Sequence, residues 1–206
     1  MVLKSFPVVL LALMCSLTQS QAQEKLPVSI SAALSYPISF GDNSLDFTNA
    51  LIGWDVNAQF PLSANFSIGP SYRAGIYGTE ITYTDENGNI AEEKFTSTLL
   101  NHLEVLSEYH FPVANKLNLG FGVAAGYSFM NNSEFYTYLP GKAPKGFDIA
   151  PGITLQIALS DHFALLTSAK YTFTYLNSTI DVGTTSLARN ENIHEAAFAV
   201  GATYIF

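Results

Sequence analysis

Apolar and polar residues alternate one by one along most of this chain, in eight separate stretches. The last is the clearest. From 194 to 206, His194, Ala196, Phe198, Val200, Ala202, Tyr204 and Phe206 share one face, and Glu195, Ala197, Ala199, Gly201, Thr203 and Ile205 the other. Successive side chains of a strand point to opposite sides, so one face is greasy and aromatic and the other small and mildly polar. The same period predicts strands over about 26–36 (Ile30, Ala32, Leu34 against Ser29, Ser31, Ser35) and 50–60 (Trp54, Val56, Phe60 against Gly53, Asp55, Asn57). A third runs from Phe66 to Ile76 with Ser67, Ser71 and Arg73 on its polar face, and a fourth ends near Phe111 with His102, Glu104, Glu108 and His110. The fifth sets Phe121, Val123 and Tyr127 against Gly120, Gly122, Ala124 and Gly126. The sixth sets Ile149, Ile153 and Ile157 against Asp148, Gly152 and Gln156. The seventh sets Phe163, Leu165 and Tyr171 against Ser168, Lys170 and Thr172.

The connections alternate in length. Pro61–Ala64, Pro112–Lys116 and Ser160–His162 are tight, whereas 37–49, 85–92, 130–146 and 176–193 are long and rich in Asn, Gly, Asp, Thr and Ser. In the third strand the alternation lapses after Ile76, so 77–84 and 93–100 are predicted to form a hairpin around 85–89, beyond the reach of whatever enforces the period.

Two sorts of eight-stranded barrel fit this pattern, one soluble with its apolar face inside and one inverted in a membrane. Composition separates them. Charged residues make up 13% of the chain and aromatics another 13%, against about 25% charged in ordinary soluble domains. A soluble barrel needs a charged outer face, and here the second face is Gly, Ser, Ala, Thr and Asn. No apolar run beyond the N-terminus reaches the roughly 20 residues of a membrane helix. Phe60, Phe66, Phe111, Phe163, Tyr204 and Phe206 cluster near the tight turns, as a ring of interfacial aromatics would. The expected fold is all-β, an eight-stranded antiparallel up-and-down transmembrane β-barrel, with the apolar face toward lipid and short turns on one side.

Residues 1–22 read as a signal peptide that is removed: Lys4, a short apolar stretch from Phe6 to Leu17, and the small-x-small site Ser20-Gln21-Ala22. The barrel domain is then 23–206. Cys15 lies in the leader, and Ala-Leu-Met before it fits a lipoprotein signal poorly. The mature chain therefore carries no thiol for a disulfide or thiolate metal site. A net charge of −8 argues against nucleic-acid partners.

With the apolar face outside, the inward charges are Asp55, Arg73, Glu104, Glu108, Asp148, Lys170 and Glu195. If Thr84 faces Glu93 across the second long connection, Arg73 and Glu104 are direct cross-strand neighbours and form an interior ion pair. A slip of two residues would keep them on one face. Lys170, beside Gly152 and Ala199, is within reach of Glu195 or Asp148. The row His102, Glu104, Glu108 and His110 invites a metal, but residues two apart on a strand lie roughly 7 Å apart, so no metal site is expected. No nucleophile motif occurs. His162 and His194 are candidates for a lipid-modifying site by position alone, and the expectation is that the chain is not an enzyme and has no cofactor.

Gly201-Ala-Thr-Tyr204-Ile-Phe206 resembles the C-terminal signal read by the barrel-assembly machinery, with Gly201, Tyr204 and Phe206 as its elements; Ala199 stands where a polar residue is usual. Together with a leader ending Gln-Ala-Gln and eight strands, the chain is similar to the small outer-membrane β-barrel domain family of Bacteroidetes, related to the OmpA transmembrane domain and PorT-like proteins. The resemblance implies integral insertion among outer-membrane lipid with help from the assembly machinery; the leader adds Sec-type export, and the expected barrel is a monomer with no room for a peptidoglycan-binding domain after Phe206. It transfers no catalytic residue. The expected role is structural or surface interaction through the external loops, with an extracellular or envelope protein as partner. Phe135, Tyr136 and Tyr138, beside Lys142 and Lys145, are the loop contact candidates. The alternatives are a narrow, weakly cation-preferring channel and a lipid-modifying enzyme.

Overall fold

The computed structural model describes residues 27–40, 45, 49–84, 90–132, 141–182 and 185–206. Residues 1–22 and the contact candidates Phe135, Tyr136 and Tyr138 lie outside the described residues. Eight strands follow in order: β1 (Ser29–Phe40), β2 (Asn49–Ser63), β3 (Phe66–Thr84), β4 (Ile90–Ala114), β5 (Leu117–Asn132), β6 (Gly141–Ala158), β7 (Phe163–Val182) and β8 (Thr185–Ile205). Each pairs antiparallel with the next, and β8 returns to β1, closing the barrel. Closure removes the two sheet edges whose backbone groups would otherwise stand unpaired in lipid.

The alternating faces fall as the sequence predicts. Ile30, Leu34, Val56, Leu103, Val105, Phe121, Val123, Ile149, Ile153, Leu165, Phe198 and Val200 all point outward and are exposed, while Ser31, Asp55, Arg73, Glu104, Asp148 and Glu195 are buried inside. In water this surface would be an aggregation hazard; in a bilayer it is the lipid-facing wall. Two aromatic rings bound it. At the turn end, Tyr109 meets Phe111 at 4.7 Å between ring centroids and Phe163 meets Tyr204 at 5.0 Å. A second ring at the loop end, which the sequence reading does not foresee, includes Phe40 with Tyr171 at 5.8 Å and Phe147 with Tyr175 at 5.5 Å. Ten residues of β7 separate Phe163 from Phe173. At about 3.3 Å per residue and a tilt of about 40° this gives about 25 Å, the height of an outer-membrane apolar band.

Several strand boundaries differ from expectation. β1 continues to Phe40, β6 starts at Gly141, and β7 and β8 pair as far as Val182 and Thr185, so most of 176–193 is hairpin rather than loop. The physical reason is the one already visible at 77–84. Outside the membrane the hydrogen-bonded ladder continues after lipid has stopped sorting side chains, so the period fades before the strand does. The predicted hairpin of 77–84 with 93–100 is present, and β3 and β4 stay paired up to Thr84 opposite Ile90.

The register of β3 on β4 is two residues from the expected one. Thr82, not Thr84, faces Glu93, and Arg73 pairs with His102 while Ser71 pairs with Glu104. The ladder also shifts by one residue between Tyr83 and Thr84, where Thr84 faces Ile90. Glycines permit close wall contacts at two points. A Cβ on Gly201 would stand 2.1 Å from the Ala32 carbonyl oxygen at the β1–β8 seam, and one on Gly126 would stand 2.0 Å from the Leu103 carbonyl. Of the three residues expected to form an assembly signal, Gly201 lies at the seam, while Tyr204 and Phe206 face outward.

Candidate functional site in the lumen

The inward charges gather in a belt across the middle of the barrel. Arg73 is its centre. Its Nη1 donates to Glu195 Oε1 at 2.6 Å, its Nη2 donates to Glu104 Oε1 at 3.2 Å, and its Nε lies 4.0 Å from Asp55 Oδ1. The Arg73–Glu104 pair expected from sequence is therefore made, diagonally rather than directly across. Glu195 also accepts a hydrogen bond from the Tyr77 hydroxyl. Tyr77 shares the inward parity of Gly75 and Arg73, and its ring folds over the space that Gly75 leaves open. The sequence reading counts Tyr77 as a lapse in alternation; its parity is the signal that would have placed it inside.

Lys170 departs from expectation. It sits beside Gly152 and Ala197, and its Nζ crosses the lumen to donate to Asp55 Oδ2 at 3.1 Å, not to Glu195 or Asp148. Ala199, expected beside it, pairs with Ser168. Asp148 is instead held by His102 and Ser128: Oδ2 lies 2.5 Å from His102 Nδ1 and accepts from Ser128 Oγ at 2.8 Å. A serine, a histidine and an aspartate meet here, but Ser128 and Asp148 both approach the same ring nitrogen. A serine relay needs the nucleophile on one nitrogen and the carboxylate on the other, and all three residues are fully buried. His102, Glu104 and Asp148 also bring ligating atoms within 4.8 Å of one another. The 2.5 Å between Nδ1 and Oδ2 is a hydrogen bond, tighter than the roughly 3 Å edge between two ligands each about 2.1 Å from one metal. Glu104 Oε2, Asp148 Oδ1, Thr172 Oγ1 and Thr174 Oγ1 have no protein partner; polar atoms of this kind are where buried water is held.

Loopward of the belt the lumen turns apolar. Leu45, Tyr77, Leu100, Met130, Leu176 and Ile193 form one cluster, each at most 2% exposed. Turnward, the lumen passes a small void bordered by Asp55, Glu108 and Lys170 and opens into a mouth of about 250 Å³. Glu108 stands here, apart from the belt, with His110 Nδ1 at 4.0 Å from its Oε1.

The two histidines singled out by position have other duties. His162 Nδ1 donates to the Ile205 carbonyl at 3.0 Å and its backbone carbonyl accepts from Ile205 N at 2.8 Å, tying the last strand to a turn. His194 faces outward, bonded to the Tyr171 hydroxyl at 2.6 Å within the loop-end aromatic ring.

The sequence matches the outer membrane protein β-barrel domain family over residues 8–206. The chain belongs to this family. It is an integral outer-membrane β-barrel. Among solved structures, the barrel is similar to the outer membrane protein OprG from Pseudomonas aeruginosa, with 10% identity, a TM-score of 0.55, and coverage of 90% of this chain and 98% of that one. It is also similar to Neisserial surface protein A (12% identity, TM-score 0.54, 90% and 100% covered) and to the outer membrane protein AlkL in lipid bilayers (13%, 0.52, 91% and 93%). These likenesses show the fold. No curated protein sequence matches the chain.

Proposed function

We propose that this barrel is a closed, monomeric outer-membrane scaffold that acts through its external loops, as a structural element or as a surface for an extracellular or envelope protein. The observation that carries the reading is the stoppered lumen. An ionic belt held across the barrel, from β3 to β8 and from β7 to β2, lies beneath a fully buried apolar cluster. A solute path would have to break both. With the interior committed to holding the wall together, the groups free to meet partners are at the loop end. There the aromatic segment Phe135, Tyr136 and Tyr138, with Lys142 and Lys145, is the contact surface. The family resemblance to Bacteroidetes barrels, the leader at 1–22 and the terminal Gly201, Tyr204 and Phe206 support Sec-type export followed by insertion through the barrel-assembly machinery.

One observation favours a second reading, the narrow cation-preferring channel. Among the described residues Asp55, Glu104, Glu108, Asp148, Glu191 and Glu195 are buried, against Arg73 and Lys170 as cations in the lumen, so any residual pathway would favour cations. Planar-bilayer recording tests the two together. The scaffold reading expects no reproducible single-channel steps; steps altered by Arg73→Ala would replace it with the channel. Heat-modifiable gel migration in detergent is the accompanying check of the architecture.

A further inference from the structure

The turn-end mouth holds a serine, a histidine and a carboxylate in a chain of contact that none of these roles uses. Ser67 of β3 pairs directly with Glu108 of β4, and His110 is the next inner residue toward the mouth. Ser67 Oγ lies 2.9 Å from His110 Nε2, and the other ring nitrogen faces Glu108 Oε1 at 4.0 Å. Unlike the His102 cluster, the two partners approach opposite nitrogens of the ring. This is the order nucleophile, base, orienting carboxylate that activates a serine hydroxyl, and unliganded sites of this kind are often looser than their working geometry. Ser67 and His110 both line the mouth of about 250 Å³, with Glu108 behind them.

Two further features fit. Glu108 Oε1 has no hydrogen-bond partner, and neither has Gln59 Nε2, although Ser67 Oγ donates to Gln59 Oε1 at 2.9 Å. Turning the Gln59 amide over gives its Nε2 a partner, while Glu108 Oε1 stays 4.0 Å from the ring. Gln59 Nε2 then donates to Ser67 Oγ, Ser67 is free to donate to His110 Nε2, and neutral His110 keeps its proton on Nδ1, aimed at Glu108. The exchange leaves an unmatched carbonyl in place of an unmatched donor, the less costly of the two when buried. Gly120 lies opposite His110, and a Cβ there would stand 1.9 Å from Glu108 Oε1. Its missing side chain is what lets the carboxylate lie toward the ring.

We propose that Ser67, His110 and Glu108 form a hydrolytic site for small acyl esters at the turn-end mouth of the barrel. This goes beyond the scaffold role and departs from the expectation of no enzyme. Ser67 Oγ bonds to the ester carbonyl carbon as His110 Nε2 takes its proton. The bond to the alcohol oxygen then breaks, and the alcohol leaves with that proton. Water opens the acyl-serine, giving its proton to His110 and its hydroxyl to the acid, and the proton returns to Ser67. Ester and water become acid and alcohol. Asn118 and Gln156 on the cavity wall are the amide donors available to the transient oxyanion. Pro61, Phe66 and Pro112 give the mouth an apolar rim suited to a short acyl group.

The test uses the full-length folded barrel in detergent, with p-nitrophenyl acetate as substrate and a fluorophosphonate as covalent probe. The probe is expected on Ser67, located by peptide mass spectrometry, and absent from heat-unfolded protein. Hydrolysis is expected to fall about 100-fold or more in Ser67→Ala and in His110→Gln. Gly120→Ala keeps all three side chains but displaces the carboxylate, and is expected to lose about tenfold. A folded barrel that leaves Ser67 unlabelled, or hydrolysis unchanged in Ser67→Ala, overturns the proposal. Labelling is read on the unsubstituted protein, so a folding defect in a variant cannot imitate that result.

Discussion

Toward the loops the lumen is filled by Leu45, Tyr77, Leu100, Met130, Leu176 and Ile193, whereas toward the turns it opens into a polar mouth of about 250 Å³. The ionic belt between them faces both. Its loopward side is roofed by carbon and its turnward side by small polar residues and a void. An eight-stranded barrel has just enough interior for side chains, and here the strands close the lumen together with Leu45 of the β1–β2 connection, through a change of side-chain character along the axis. The contrast also separates two uses of polar residues. In the belt they are spent on one another. At the mouth, Ser67, His110 and Glu108 sit beside open volume.

The largest effect that would break this comparison is loss of the belt's centre. Arg73→Met leaves Glu104, Glu195 and Asp55 buried without their shared cation, and is expected to cost about 3–5 kcal/mol in reversible urea unfolding from lipid vesicles. Adding Glu195→Gln should return part of that loss; a double variant as unstable as the sum of the singles would show that the two residues act independently. Next comes the apolar roof. Leu100→Ala is expected to cost about 2–4 kcal/mol and to raise ion leakage, because the roof is what isolates the belt from the loop side; unchanged leakage would locate the seal elsewhere. Lys170→Met, which removes only the bond to Asp55, should cost about 2 kcal/mol. The smallest change is outside: Tyr171→Phe deletes the bond from an exposed tyrosine to His194 and should stay within about 0.5 kcal/mol.

Which residues face inward was legible in the sequence wherever lipid touches the wall, because a slip by one would put Arg73 or Glu195 into hydrocarbon. Partner choice inside was not. Arg73 and Glu104 share the predicted face but lie two residues from the predicted register, since the register depends on how the β3–β4 connection closes, which no side-chain pattern announces. Lys170 reaching Asp55 and Arg73 reaching Glu195 are contacts across the lumen. They depend on strand tilt and stagger around the whole ring, which alternation along one strand does not encode. Ser67 stands unmarked on the polar face of its strand, because its partner Glu108 becomes its neighbour only through the β3–β4 register, and the role of Gly120 depends on where the Glu108 carboxylate comes to rest.

The bond from Arg73 to Glu195 joins residues 122 positions apart, and that from Lys170 to Asp55 spans 115. Neither can form while the last strands are still outside the sheet. A ring that lacks either β3 or β8 lacks one side of the bond that Arg73 and Glu195 make at 2.6 Å. A half-zipped ring is therefore electrically incomplete, and the final seam, where Gly201 lets β8 press against Ala32 and Ala33, is rewarded at the far wall as well as at the join. The belt thus acts as a latch on completion, disfavouring partial rings and making assembly finish as a single cooperative event.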